Sequence, residues 1–303
     1  MNSGAFAFGI GLPIVQQVPT QARPWEAGAS VETLRQVARA ADRVGAAWIT
    51  CSDHVAVPAS HVPAMGATWY EPATTLAFLA AATTRVGLLS HVLVLPYRHP
   101  LMAAKMFATL DRLSGGRAII GAGSGHLKPE FRSLGIDHDA RAALSEEYLT
   151  ALAVALGDEV SSFAGRFVGW RDMAVSPRPV QRPRPPLWVG GNTAAMARRA
   201  GRLGDGWIPW RITPDEFATR ARFAREAYRA SGRDGAFAVV APVDAGRIED
   251  AGALATTLAG WRARGATAVH LGFTHDSAAH LIELIERVAG EVMPLVADTP
   301  LPR

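Results

Sequence analysis

The chain has 303 residues, of which 49% are hydrophobic and 19% are charged, a balance typical of soluble globular proteins. A net charge of +4 without a basic cluster argues against a nucleic-acid-binding protein, and a single cysteine, Cys51, excludes a disulfide framework. No apolar run is long enough to span a bilayer, and the apolar start lacks the basic segment and cleavage site of a secretion signal. We therefore expect a cytoplasmic protein with one domain over residues 1–303.

Short apolar strands alternate with helices along the chain. The strands are predicted at residues 6–12, 46–51, 86–95, 117–121, 187–189, 206–209, 237–241 and 266–271. Helix starts are marked by capping residues: Ser30 is a typical N-cap of the first helix, and Thr213 with Glu216 predicts a capping box later in the chain.

Residues 157–186 interrupt this alternation with the hairpin-like run FAGRFVGW and a proline-rich connector. Eight strands, each followed by a helix and buried on both faces, predict a parallel (β/α)8 TIM barrel with a short insertion between strands 4 and 5. A doubly wound open sheet is the alternative, although it rarely uses eight consecutive strand–helix units.

In such a barrel the functional groups lie where strands end and the following loops begin. The polar and glycine-rich strand ends are Ser52-Asp53-His54, Ser90-His91, Gly123-Ser124-Gly125-His126, Gly190-Gly191-Asn192, Trp210 and residues 273–275. Only Asp53 among them is a carboxylate, which argues against a metal centre and against paired-carboxylate glycosidase chemistry. The loop around Ser124 matches neither a serine-nucleophile motif nor the dinucleotide-binding fingerprint.

Two glycine-rich strand ends remain as candidate ligand sites. Gly190, Gly191 and Asn192 open a helix, whose free N–H groups suit a phosphate, and residues 121–125 would let a flat ligand lie against the backbone. Tight turns and packing glycines are the structural alternatives for both loops. With several histidines and few carboxylates nearby, the pattern favours a planar phosphorylated cofactor that carries the chemistry itself.

Several motifs in sequence order resemble the luciferase-like monooxygenase family, and within it are most similar to actinobacterial coenzyme F420 (deazaflavin)-dependent oxidoreductases. These motifs are WITCSDHV, the run from WYEPATTLAFL to GAGSGHLKPEF, the segment FAGRFVGW, and PPLWVGGNTAAMARRAGRLGDGWIP. The resemblance covers residues 5 to about 212 and fades over the last third of the chain.

The resemblance implies a role for particular residues. The cofactor phosphate would lie at Gly190, Gly191, Asn192 and Thr193, and its ring and chain along Gly123, Ser124 and Gly125. Asp53 would hydrogen-bond near the ring, and His54 would be a proton donor or would orient the substrate. His126, where relatives carry an acid or tryptophan, is a second candidate for proton transfer. A non-prolyl cis peptide bond would lie between Ser90 and His91, behind the ring, and a trans bond there would count against a deazaflavin.

The implied function is hydride transfer between F420 and a small organic substrate. An FMN-dependent monooxygenase supplied by a flavin reductase, and a non-catalytic flavin-binding protein, are the alternatives. The family also implies a homodimer and a flavin or F420 reductase as a transient redox partner. No metal, nucleic acid or membrane is expected to take part. Trp69 and Trp210 are candidate walls of the substrate pocket.

Overall fold

The computed structural model describes residues 6–298. Eight parallel strands alternate with helices and close into a barrel. The strands are β1 (Ala7–Gly11), β2 (Trp48–Cys51), β3 (Gly87–Ser90), β4 (Ala118–Gly123), β5 (Leu187–Gly190), β6 (Gly206–Ile208), β7 (Ala238–Asp244) and β8 (Ala268–Gly272). Each strand pairs with the next, and β8 pairs with β1 in the register Ala7 with Ala268, which closes the ring. The predicted (β/α)8 barrel is confirmed.

Eight helices surround the strands. They are α1 (Val31–Val44), α2 (Pro72–Ala80), α3 (Pro100–Leu113), α4 (Arg141–Gly157), α5 (Ala194–Leu203), α6 (Pro214–Ala230), α7 (Ala251–Ala263) and α8 (Ala278–Arg287). The predicted caps are present: the Ser30 side chain accepts from the Thr33 N–H, and Thr213 and Glu216 form the capping box of α6. These local signals fix the helix starts because they satisfy backbone N–H groups that have no partner within the helix.

Shorter elements occupy the loops. They are the strands Leu93–Val94, Ser161–Ala164 and Gly169–Met173, the helices Val62–Met65, Lys128–Ser133 and Met293–Asp298, the 3₁₀ turns Pro24–Gly28, Ala59–His61 and Leu95–Tyr97, and the π-helical turn Val288–Val292. The two strands between α4 and β5 pair as an antiparallel hairpin, so the predicted insertion is confirmed. The Glu147 carboxylate holds the turn of this hairpin by accepting from three consecutive backbone N–H groups, at residues 166–168.

The interior of the barrel is packed with indole rings. Trp48 and Trp188 meet edge to face with their ring centroids 5.1 Å apart, and both are almost completely buried. Gly9 leaves room for this arrangement, because a Cβ at its position would lie 2.1 Å from the Trp48 indole. The open space therefore lies above this layer, at the carboxyl ends of the strands.

The third strand is interrupted, and the predicted cis peptide bond is displaced by one residue. The non-prolyl cis bond joins His91 to Val92, so the prediction for Ser90–His91 was wrong. The Ser90–His91 peptide still belongs to the strand ladder, since Ser90 pairs with Cys51 and the His91 N–H donates to the Cys51 carbonyl over 2.8 Å. The Ser90–His91 bond is trans, which by the expectation stated above counts against a deazaflavin.

Candidate active site

A cavity of about 870 Å³ opens at the carboxyl ends of the barrel strands. This volume lies in the range of small-molecule and cofactor sites. Of the residues predicted from the sequence, the cavity brings together Asp53, His54, His91, Gly123, Ser124, Gly125, His126, Gly190 and Gly191. Trp69 and Trp210 also line it, in agreement with their predicted place in the pocket wall.

His54 is held on the cavity wall by a buried carboxylate. Its Nδ1 lies 2.7 Å from Oε2 of Glu130, and its ring packs edge to face against Trp69 with a centroid distance of 4.5 Å. The carboxylate is acceptor-only when ionised, so the neutral imidazole carries its proton on Nδ1 and leaves Nε2 as a base. Nε2 has no hydrogen-bond partner among residues 6–298.

Glu130 is the centre of a four-donor network. Its Oε2 also accepts from the Tyr97 hydroxyl at 2.8 Å, and its Oε1 accepts from the backbone N–H groups of Val55 and Ala56. Burial by itself raises the pKa of Glu130, but the hydrogen bonds from His54, Tyr97 and Ala56 outweigh it and hold that pKa below its ordinary value. The carboxylate is therefore ionised at neutral pH and fixes the orientation of His54.

His126 lies beside this pair. Its ring is edge to face with that of His54, with the centroids 5.6 Å apart. Partial burial, and then the charge of His54, lowers the pKa of His126, so its neutral form prevails at neutral pH. The two histidines share one side of the cavity, as expected if both act on the same ligand.

Asp53 is part of an ion pair instead of facing the cavity with free oxygens. Its two carboxylate oxygens lie 2.5 Å and 2.8 Å from the guanidinium nitrogens of Arg98, and Oδ2 also accepts from the Val94 N–H. The Asp53 side chain is 1% exposed. This pair ties the end of β2 to the segment after β3, and so fixes the backbone next to His54.

Two neutral histidines form the floor of the cavity. The rings of His91 and His270 are 4.6 Å apart, and the Trp48 indole N–H donates to Nδ1 of His270. Burial lowers the pKa of His91 to about 4 and, together with the neighbouring His91, lowers that of His270 well below its ordinary value. Both side chains therefore present uncharged imidazoles to the cavity.

The glycines in and just after the last part of β4 are required mainly by protein packing. A Cβ at Gly121 would lie 2.1 Å from the Ser90 carbonyl oxygen, and one at Gly123 would lie 2.5 Å from the Val92 side chain. Gly125 has φ +72° and is packed against the side chains of Val94 and Phe131. Packing within the protein, and not ligand binding, therefore explains much of the glycine content of this loop, although Gly123 and Gly125 still line the cavity.

Replacement of Gly121 by alanine is expected to destabilise the fold by about 1–3 kcal/mol, because the new methyl group meets backbone that is part of a closed barrel. Urea unfolding monitored by circular dichroism measures this change. Gly157→Ala is the matched control: it lies at the end of α4, where an added Cβ would meet no other atom within 4 Å, and alanine there is neutral to slightly stabilising. Equal stability of Gly121→Ala and wild type would show that the space beside Gly121 is not constrained.

The start of α5 provides backbone N–H groups near Gly190 and Gly191. Gly190 and Gly191 line the cavity, and the first N–H groups of α5 have no acceptor in a preceding helical turn. Arg199, on the same helix, reaches back toward this edge, with Nη1 3.3 Å from the Ser124 hydroxyl. Arg199 is also paired with Glu146, its Nε lying 3.4 Å from Oε2, so the cavity edge at β4 and β5 offers hydrogen-bond donors without an uncompensated charge.

Three predicted binding residues do not contribute side chains to the cavity. Ser90 is completely buried and exchanges hydrogen bonds with the backbone of Gly121. The Asn192 amide binds the backbone of Trp210 and the following carbonyl, and the Thr193 hydroxyl caps α5 by accepting from the Met196 N–H. Each of these polar side chains hydrogen-bonds to the backbone instead of to the cavity.

Several site residues were missed by sequence reasoning. Glu130 and Tyr97 lie in short helical turns after strands and not at strand ends, and Arg98 and Arg23 were not distinguished from other arginines. The signal available for Glu130 was its place within the family-like run GAGSGHLKPEF. His270 lies within β8 and not at its end, and it lines the cavity floor.

Within residues 6–298 no cluster of histidine, cysteine, aspartate or glutamate has a metal-binding arrangement. None of the helices in that range has the length and apolar character needed to cross a membrane.

Comparison with curated proteins gives relatives of two kinds. The chain is 35% identical over 142 residues to an FMNH2-dependent dimethylsulfone monooxygenase of Pseudomonas putida, an alignment covering 46% of this chain and 39% of that enzyme. It is 32% identical over 226 residues to an uncharacterized protein of Mycobacterium tuberculosis, covering 73% of this chain and 76% of that protein. The chain thus matches well under half of the Pseudomonas enzyme's length.

Solved structures with the same fold include the monooxygenase RslO1 from Streptomyces bottropensis, with a TM-score of 0.75 and 22% identity over 95% of this chain and 99% of that one. An F420-dependent secondary alcohol dehydrogenase in complex with an F420–acetone adduct has a TM-score of 0.76 and 16% identity over 97% and 100%. At these identities the likeness establishes the fold alone. The family model described as luciferase-like monooxygenase matches residues 6–289, nearly the whole described chain. The chain therefore belongs to the luciferase-like monooxygenase family.

Proposed function

We propose that the chain is an F420-dependent oxidoreductase that binds the deazaflavin in the barrel cavity and acts on a small alcohol or carbonyl compound. The observation that carries the proposal is the His54–Glu130 pair, which presents an oriented imidazole nitrogen to the cavity. When bound, the deazaflavin supplies or accepts a hydride, and the chain has to position the substrate and manage one proton. Nε2 of His54 accepts the proton from an alcohol or donates it to a carbonyl oxygen, and His126 lies close enough to assist.

The residues present fit such a cofactor. The Trp69 ring lines the cavity next to His54, and its indole N–H is buried without an acceptor among the described residues. A ring acceptor would satisfy it, since a buried donor without a partner is costly. Gly123 and Gly125 give a side-chain-free edge, and the start of α5 with Ser124 and Arg199 would hold the phosphate.

The alternative is an FMN-dependent monooxygenase, which the identity to the Pseudomonas putida enzyme favours. It would use reduced FMN from a separate flavin reductase, whereas the F420 function would draw on an F420 reductase. A non-catalytic flavin-binding protein is the third possibility, and the His54–Glu130 pair argues against it because binding alone has no need for an oriented base. We further propose a homodimer, as is usual in the family.

Equilibrium binding of the purified chain to F420 and to FMN, followed side by side by cofactor fluorescence, tests the cofactor. We expect F420 to bind at least about tenfold more tightly, which corresponds to about 1.4 kcal/mol. Tight binding of FMN alone, together with oxygen consumption when reduced FMN is supplied, would replace the F420 proposal with the monooxygenase. Binding without turnover over a panel of alcohols, ketones and aldehydes would favour a non-catalytic role. Arg222→Gln, which removes one exposed charge of α6, is a control that should leave both affinities unchanged.

A further inference from the structure

Arg23 lies on the opposite side of the cavity from the glycine loops, in the segment between β1 and α1. Its Nη2 donates to the Phe273 carbonyl at 3.4 Å and to the Thr274 hydroxyl at 3.0 Å, both in the loop after β8. Its Nε is buried without an acceptor, and Nη1 has none within residues 6–298. The guanidinium lines the cavity with most of its donors unused.

No carboxylate forms an ion pair with Arg23 in the described part of the chain. The oxygens of Glu26 accept from the backbone N–H groups of Ile14 and Arg23, and those of Asp276 form a two-point ion pair with Arg247. By contrast, Arg98 is paired with Asp53. A half-buried charge without a direct counter-ion is unfavourable, and an anion in the cavity would relieve that cost.

Arg117 shows what a purely structural arginine looks like in this fold. Its three guanidinium nitrogens donate to five oxygens of the protein, of which four are backbone carbonyls and one is the Thr83 hydroxyl. It needs no further partner. Arg23 uses one nitrogen of three; Nε is enclosed by protein, so Nη1 is the nitrogen that remains open to a ligand.

His275 supplies a second donor beside Arg23. The Trp25 indole N–H donates to its Nδ1 over 3.0 Å, so the proton of the neutral ring is on Nε2. Burial, and then the positive charge of Arg23, lowers the pKa of His275 to about 4, which keeps the ring neutral. His275 lines the cavity, and its Nε2–H has no acceptor in the part of the chain that the structure describes.

The wall around these two donors is largely apolar. Its apolar members are Val15, Val18, Ala22, Val243, Phe273 and Leu281; the carboxylates of Glu26 and Asp244 also line the cavity, and each accepts from backbone N–H groups. A ligand that fills this part of the cavity therefore needs an apolar body, and Arg23 offers it a positive charge. Arg211, which follows β6, also lines the cavity. A neutral ligand bound at the same wall would leave the positive charge of the guanidinium without a counter-ion.

We propose that Arg23 and His275 form a subsite for an organic oxyanion, so that the substrate has an apolar body and a carboxylate. That the bound oxyanion is the substrate rests on the proposed function, whereas the subsite itself is defined by Arg23 and His275. The carboxylate would bind the free donors of Arg23 and the Nε2–H of His275, while the apolar body extends across the cavity toward His54.

Binding of hexanoate and of hexanamide, two probes of equal length and different charge, tests the subsite by ligand-observed NMR titration. We expect wild type to bind hexanoate about tenfold or more tightly than hexanamide, because hydrogen bonds to a charged group are the stronger ones. The preference should fall as salt is raised. Arg23→Gln should reduce it to about unity and leave hexanamide binding unchanged, whereas Arg222→Gln should keep it.

Equal binding of the two probes to wild type would overturn the subsite, and so would an undiminished preference in Arg23→Gln. The wild-type comparison and its salt dependence need no variant, so the test stands even if Arg23→Gln does not fold. Cofactor binding, measured separately by fluorescence, distinguishes the two proposals. Absence of the hexanoate preference with intact F420 binding contradicts the subsite alone, and a preference without binding of F420 contradicts the proposed function alone.

Discussion

Replacement of His54 by alanine is expected to lower kcat/KM by about two to four orders of magnitude, the usual contribution of a general acid–base residue. The imidazole is the proposed proton-transfer group, and its orientation is fixed by the Glu130 carboxylate. Steady-state kinetics with F420 and the best substrate of an alcohol and carbonyl panel measure the effect. Cofactor affinity should change little, because His54 is assigned to the substrate side of the reaction.

A sharper test is Glu130→Gln, which keeps the shape of the side chain. The oxygen facing the Val55 and Ala56 N–H groups must remain an acceptor, so the new NH2 group would face Nδ1 of His54 and the Tyr97 hydroxyl. An N–H donor there makes Nδ1 an acceptor and puts the proton on Nε2, which removes the base from the cavity. We expect kcat to fall at least about a hundredfold, as when a wrong tautomer is imposed on a catalytic histidine.

The control variants separate positioning from folding. Tyr97→Phe removes one donor to Glu130 but leaves the tautomer of His54 unchanged, so it should lower kcat much less than Glu130→Gln. Glu286→Gln, at an exposed ion pair with Arg43, should behave as wild type. Wild-type kcat in Glu130→Gln would refute the positioning role, and parallel losses of kcat, F420 affinity and melting temperature would show that the residue acts through folding.

Replacement of Arg98 by methionine is expected to destabilise the protein by about 3–5 kcal/mol, because it leaves the buried Asp53 carboxylate without its counter-ion. The Asp53 side chain is 1% exposed, so water cannot replace the lost partner. Urea unfolding with linear extrapolation gives the change in the free energy of unfolding. Arg222→Met, which breaks an exposed pair with Glu226, should cost less than about 1 kcal/mol.

The double variant Asp53→Asn with Arg98→Met completes this test. Removing the carboxylate together with the guanidinium eliminates the uncompensated charge, so part of the lost stability should return. A double variant that is less stable than the sum of the two single changes would contradict the explanation by charge. Because the pair fixes the backbone next to His54, a drop in kcat/KM in Arg98→Met is also expected.

Local sequence signals were sufficient to place most of the barrel. Apolar runs followed by capping residues predicted the eight strand–helix units, and the Ser30 N-cap of α1 and the capping box of α6 agree with the structure. These features depend on neighbours within a few residues, such as an N-cap side chain and the N–H it accepts from. The non-prolyl cis peptide bond was predicted one residue too early. Which of the two adjacent bonds is cis depends on how far the pairing of β3 with β2 extends.

By itself the sequence determined the alternation of strands and helices, the barrel, and the strand ends that carry His54, Ser124 and Gly190. Only the tertiary structure decided which polar groups meet. Glu130 reaches His54 across 76 positions, and Arg23 reaches Thr274 across 251. The sequence does not reveal such pairs, because they join residues far apart in the chain. Closing the barrel brings all the strand ends to one rim, and there a polar group bonds to whichever unpaired partner lies within hydrogen-bond distance.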